Sequence, residues 1–418
     1  MAIAATFLVA VAAMAVVTLA MVVRYPVVTM VPIRWLLVAL LWLGVGPAQT
    51  PPVVTCRDCM NHGCVPCTKH GKFLAQEQAP GTLFCSFAAE CKACAGALNT
   101  DCRMCVNAYV EGEMERRKQL VREWLQKRRT EIDKLVDHEG FAYLSTPHVE
   151  LTFGIKSLTV GKEKLETHAL MHLYAERIEA LRTMFLKVFE LTEADLPNRL
   201  LVYMFREARD HNTVGPRVTG LGNANSVGLK QMGPDCYAYS MWQDTRTIPD
   251  DEALHRNIVH MVTHLLLSQM TPALWLGNHK HGWLDEGVAH WFEDKIGGKC
   301  TNYCFEEILL LAGAGFKGGR WRAPVRKLVD EGKGPSFATL SVLNTDQLDF
   351  EQHAFAFAYV DFLVTAHGGA KFRDLLRLVK QDKSTRDALQ AVYGLNPLTI
   401  DPLFQQWVKD NYSLLPPR

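Results

Sequence analysis

Apolar positions along the chain first run together, then recur at helical spacing, then mix alternating and helical periods. Ala2 to Val23 is almost unbroken apolar sequence, long enough to cross a bilayer. A second apolar run, Trp35 to Val45, follows Arg34 and ends in Gly46-Pro47-Ala48-Gln49, small residues of the kind that precede a cleavage point. Met30 to Ala48 therefore reads as a complete signal peptide, and residues 1–29 as either an over-extended start or a membrane anchor. Either reading predicts export, to a periplasmic or extracellular location, with the membrane touched only through the N-terminal segment if it stays uncleaved.

The helical period begins at Val106. Met114, Val121, Trp124, Leu125, Ile132 and Leu135 recur at helix spacing to about Asp137, with charges of both signs between them and Gly140 as a stop. From Ser145 the pattern is mixed. His148 to Ile155 alternates as a strand, Thr167 to Leu191 is an amphipathic helix, and Leu200 to Phe205 is a buried strand. A glycine- and asparagine-rich loop, Gly220 to Gly228, precedes a strand over Asp235 to Trp242. Glu252 to Met270 is an apolar helix followed by Pro272. A strand just before that helix suits an edge strand that holds an extended peptide by main-chain hydrogen bonds, and equally an ordinary sheet. The predicted class is α+β: a mixed sheet and an active-site helix, then a mainly helical C-terminal part. The expected divisions are a membrane or signal segment at 1–48, a cysteine-rich module at 49–105, a helical spacer at 106–140 and the main domain at 145–412.

Composition changes little in that picture. The 418 residues are 48% hydrophobic and 21% charged, with a net charge of +1, which gives no general argument for a nucleic-acid partner. The charge-rich stretch Glu115 to Lys134 mixes both signs and reads as a solvated helix face.

Cysteine adds a module. Nine of the 12 cysteines lie between Cys56 and Cys105, and eight form the pairs Cys56/Cys59, Cys64/Cys67, Cys91/Cys94 and Cys102/Cys105, with Cys85 left over. Two thiolates two residues apart make a knuckle that holds one edge of a tetrahedral zinc site, so two knuckles complete a site. The spacings between knuckles are four, 23 and seven residues, which suits a hairpin pairing inner with inner and outer with outer. Two four-cysteine zinc sites or a disulfide framework both fit, the latter favoured by an exported location. The nested order resembles the cysteine-rich zinc domain of DnaJ-type co-chaperones over about 50 residues, although the family's glycines are poorly kept.

The candidate chemistry lies further on. His260 and His264 are one helical turn apart in Ile258-Val259-His260-Met261-Val262-Thr263-His264, and Glu286 follows 22 residues later in Trp283-Leu284-Asp285-Glu286-Gly287-Val288-Ala289. Residues four apart share a helix face, so both imidazoles can reach one ion, with Glu286 as third ligand. Cys236, Cys300 and Cys304 read as buried thiols or one disulfide, and His279 and His281 as surface residues of a loop.

The order of elements around these motifs resembles the gluzincin clan of zinc metallopeptidases, in particular the bacterial peptidase-MA-like domains, over about residues 145–412. That resemblance implies one zinc ion on His260, His264 and Glu286. It places the family's general base, a glutamate, at Met261, which cannot accept a proton. It also makes Tyr359 a candidate oxyanion-stabilising residue and His290 a candidate partner or substitute ligand behind the centre. Three functions remain open. One is a pseudopeptidase that keeps zinc and binds a peptide or protein. Another is an active peptidase with a substitute base at His290, Glu293 or Asp285. The third is a non-enzymatic scaffold acting through the cysteine module.

Overall fold

The structure is a computed structural model that describes residues 65–67, 82–100, 108–138, 140–222, 226–233, 236–304 and 318–414. The chain divides into two units, 1–49 and 50–418, and every described residue belongs to the second. The expected signal segment and Cys56, Cys59, Cys64, Cys102 and Cys105 lie outside the described residues. Among the described residues, no helix is long and apolar enough to cross a membrane.

The class is α+β, as expected. Six strands form one mixed sheet: β1 (Phe84–Cys85), β2 (Ala142–Ser145), β3 (Val149–Phe153), β4 (Leu200–Phe205), β5 (Gly228–Met232) and β6 (Tyr237–Trp242), in the spatial order β1-β2-β3-β4-β6-β5. β3, β4 and β6 run parallel; β1, β2 and β5 join antiparallel. The central strand β4 is a continuous run, Leu-Leu-Val-Tyr-Met-Phe, because a strand flanked by parallel neighbours is covered on both faces. β6 is interior, so the strand before the histidine helix is no edge. The edge on this side is β5, which begins at Gly228, the last residue of the expected loop, and runs through residues for which no element was expected.

Both sheet faces are covered. Helix α1 (Ala108–Ile132) packs Leu125 and Ile132 with Tyr143, Tyr203, Phe205 and Val214, a cluster that also takes in helix α3 (Ala208–Thr219). Arg128, buried in α1, donates to Thr152 Oγ1 at 2.8 Å and so ties the helix to β3. The cysteine segment contributes β1, so it and the long helix share one compact unit with the sheet.

The other face carries the larger core: α2 (Thr167–Val188), α4 (Asp251–Gln269), α5 (Gly282–Gly297) and α7 (Phe350–His367), with α6 (Arg322–Asp330), α8 (Gly369–Lys380), α9 (Thr385–Tyr393) and α10 (Ile400–Asn411) outside them. α4 is buried along most of its length, polar residues such as Asn257, His260, Thr263 and His264 included. Its start is set by Asp250, which accepts from Ala253 N at 2.8 Å, and by Asp251 and Glu252 in the first turn. Arg177 of α2 clamps Asp251 through two hydrogen bonds of 2.7 and 2.9 Å. α5 and α7 cross very closely: a Cβ on Gly287 would stand 2.7 Å from Ala356 O, so glycine there allows the approach. α5 ends at Gly298 in the left-handed conformation (φ 66°), which turns the chain back toward α4.

Candidate metal centre

Two buried helices and the returning loop bring four donors together. His260 and His264 come from successive turns of α4, Glu286 from α5, and Cys304 from the loop beyond Gly298; all are buried. His260 Nε2 lies 3.2 Å from His264 Nε2, and Cys304 Sγ is 3.2 and 3.8 Å from the His264 and His260 Nε2 atoms. Glu286 Oε1 is 3.5 Å from His264 Nε2, and Oε2 is 3.5 Å from His260 Nε2. A tetrahedral ion with nitrogen and oxygen at about 2.0–2.1 Å and sulfur at about 2.3 Å requires ligand separations of about 3.3 and 3.6 Å. The two imidazole nitrogens and the Cys304 sulfur stand within about 0.4 Å of those edges, and each Glu286 oxygen is at 3.5 Å from one of the imidazoles. Neither Glu286 oxygen makes a close hydrogen bond; four imidazole nitrogens surround the buried carboxylate at 3.4–3.6 Å, which leaves its lone pairs open to an ion.

The imidazoles are aimed from behind. His264 Nδ1 is 3.0 Å from Asp285 Oδ1, and Asp285 Oδ2 accepts from Trp275 Nε1 and Thr345 Oγ1, both at 3.0 Å. His260 Nδ1 is 3.1 Å from Glu293 Oε2; Glu293 Oε1 accepts from Thr301 N at 2.6 Å and Asn302 Nδ2 at 2.7 Å. A carboxylate on Nδ1–H leaves Nε2 as the free lone pair, the tautomer a ligand needs.

The electrostatics call for positive charge. Burial opposes charge on His260 and His264, yet Cys304 and the carboxylates outweigh it, holding His260 well above its ordinary value and His264 at about 9. Burial and Glu286 work against the Cys304 thiolate, but His264, Lys230 and His260 bring it down to about 7. Lys230, on the edge strand β5, donates to Cys304 Sγ at 2.6 Å. Cys304 therefore ionises near neutral pH, as a ligand must.

The predicted residues fall into place unevenly. The three expected ligands converge. Cys304, read as a plain thiol, joins them because the turn at Gly298 folds it back; Cys300 and Cys236 are free thiols, and no described cysteine forms a disulfide. His290 stands beside Glu286, its Nε2 3.4 Å from Oε2. Tyr359 takes no part: it donates to Asp401 Oδ1 at 2.6 Å, and its ring stacks on Phe404. The tyrosine near the cluster is Tyr303, against the rings of His290 and His353. His281 is buried against Thr385 rather than exposed. His353, which the sequence reading passed over, reaches the cluster from α7; its signal was one histidine at the start of an apolar helix. Met261 is half-buried in α4.

The cysteine module contributes a second group. Cys67, Cys91 and Cys94 converge in the interior, with Cys67 and Cys91 sulfurs 3.6 Å apart. That is far beyond a disulfide bond of about 2.05 Å and close to the roughly 3.8 Å edge of a tetrahedral thiolate site. These are the inner knuckles of the expected hairpin pairing. No protein-family model matches the chain, and no curated protein matches it.

Proposed function

We propose that this is an exported, zinc-binding, metallopeptidase-like protein whose centre is closed to hydrolysis, and that it binds a peptide or protein rather than cleaving it. The observation that carries this reading is Cys304. A hydrolytic site keeps one position open for water, whereas His260, His264, Glu286 and Cys304 offer four buried donors, enough to fill every corner of a tetrahedral site. Met261 removes the proton acceptor from the same helix. Zinc, when bound, would act as a Lewis acid; here His260, His264, Glu286 and Cys304 surround it, and Asp285 and Glu293 fix the two imidazoles. The ion would pin α4, α5 and the loop to Cys304 into one unit.

The test has two parts. Zinc content should fall by one equivalent in His260→Ala, and the wild-type chain should leave a mixed peptide library uncut with or without chelator. Chelator-sensitive cleavage by the wild type would favour the second reading, an active peptidase; unchanged zinc in His260→Ala would favour the inert scaffold.

A further inference from the structure

Beside the four-donor group, a second set of donors converges on the other side of the same carboxylate. His290 Nε2 of α5 lies 3.0 Å from His353 Nδ1 of α7. Glu286 Oε2 is 3.4 Å from the first and 3.6 Å from the second. All three side chains are fully buried. We infer that His290, His353 and Glu286 hold a second divalent cation next to the first, with Glu286 bridging the pair. This inference rests on the first ion being present, as proposed above.

The geometry favours an ion over a hydrogen-bonded cluster. A point equidistant from three atoms with those separations lies about 1.9 Å from each, so an ion just off their plane meets all three at ligand distance. Hydrogen bonding alone settles the His290–His353 contact and leaves Glu286 Oε2 without a donor, although three imidazole nitrogens stand 3.4–3.6 Å away. The carboxylate stands between the two groups: Oε1 faces His264, while Oε2 faces His260 on one side and His290 and His353 on the other, so Glu286 is placed to serve both ions. Paired ions in such sites stand about 3.5–4 Å apart. Glu293 repeats the pairing from behind. Its Oε2 is 3.1 Å from His260 Nδ1 and 3.5 Å from His290 Nδ1, so one carboxylate stands behind an imidazole of each group. The second site is built from two histidines and a carboxylate, a donor set that suits a first-row divalent ion.

The full-length chain, stripped with chelator and dialysed, is titrated with cobalt(II) alone. Elemental analysis compares it with His353→Ala, His264→Ala and Cys304→Ser, each checked for fold by circular dichroism. His353→Ala should carry one equivalent less than wild type while keeping the thiolate-to-cobalt absorption that Cys304→Ser removes. Equal metal content in wild type and His353→Ala would overturn the second site. Loss of nothing in His264→Ala, with no spectral change in Cys304→Ser, would instead overturn the first. Should His353→Ala fail to fold, the wild-type titration decides: cobalt ions sharing a carboxylate couple, so the paramagnetic resonance signal should rise and then fall as the pair fills. A signal that only rises overturns the inference.

Discussion

Replacing Cys304 with alanine tests the fourth ligand directly. The thiol is buried, 3.2 Å from one ligand imidazole and 3.8 Å from the other. Structural zinc sites bind with about 10–16 kcal/mol, so an equal share for one of four ligands is about 3 kcal/mol, on the order of 100-fold in Kd. At a free zinc concentration about 100 times the wild-type Kd, linkage stabilises the wild type by about 2.7 kcal/mol and the variant by well under 1 kcal/mol. The expected results are a competition Kd weakened by about two orders of magnitude and a zinc-dependent gain in Tm that shrinks by several degrees. Metal-stripped wild type and variant provide the control, since the small cavity left by the thiol acts on both states. A Kd within about threefold of wild type, some 0.6 kcal/mol, would show that the thiol is no ligand and that the site is open.

Other outcomes follow from the same geometry. Met261→Glu combined with Cys304→Ala should produce chelator-sensitive peptide cleavage about 10²- to 10⁴-fold above Cys304→Ala alone, the usual contribution of a general base; no gain on a peptide library would point to a scaffold. In the metal-free chain His264 titrates at about 9, against about 6.5 unfolded, so its stabilisation is complete below pH 6.5 and lost as pH rises through 9. Zinc added at pH 7 should therefore displace protons from His264 and His260, read with an indicator dye in weak buffer, and no release would contradict the assignment. Asp285→Asn should weaken zinc by about 10- to 100-fold, because His264 loses the carboxylate that fixes its tautomer; unchanged affinity would refute that role. Gly287→Ala should cost about 1–3 kcal/mol in chemical denaturation, since the added Cβ meets the backbone of α7.

What the sequence revealed, and what it hid, divides along sequence distance. Helix α4 was expected over Glu252 to Met270 and spans Asp251–Gln269, because a long apolar run ending before a proline admits few alternatives. Leu200–Phe205 was found to the residue for the same reason. β5 was missed because Gly-Leu-Lys-Gln-Met has weak strand character; β6 recruits it by pairing along its whole length. His260, His264 and Glu286 were legible because their spacing is a local property of two helices. Cys304 and His353 were not. One depends on where the chain goes after Gly298, the other on how α7 crosses α5, and neither is written in a local pattern.

Met261 and Cys304 look like separate departures from a peptidase site, but one charge argument links them. The centre gathers the carboxylates of Asp285, Glu286 and Glu293 and the Cys304 thiol in a buried interior, where Lys230 and the raised His260 and His264 imidazoles are the positive groups facing them. A glutamate at position 261 would add a further negative group beside His260, and like charges in a low-dielectric site cost far more than in water. A neutral thioether avoids that cost. If the Cys304 thiolate fills the fourth corner, as proposed, a base would have no water to deprotonate, and a carboxylate at 261 would bring expense without benefit. On the proposed reading the two residues describe one state of the centre, one that would hold an ion without turning over a substrate.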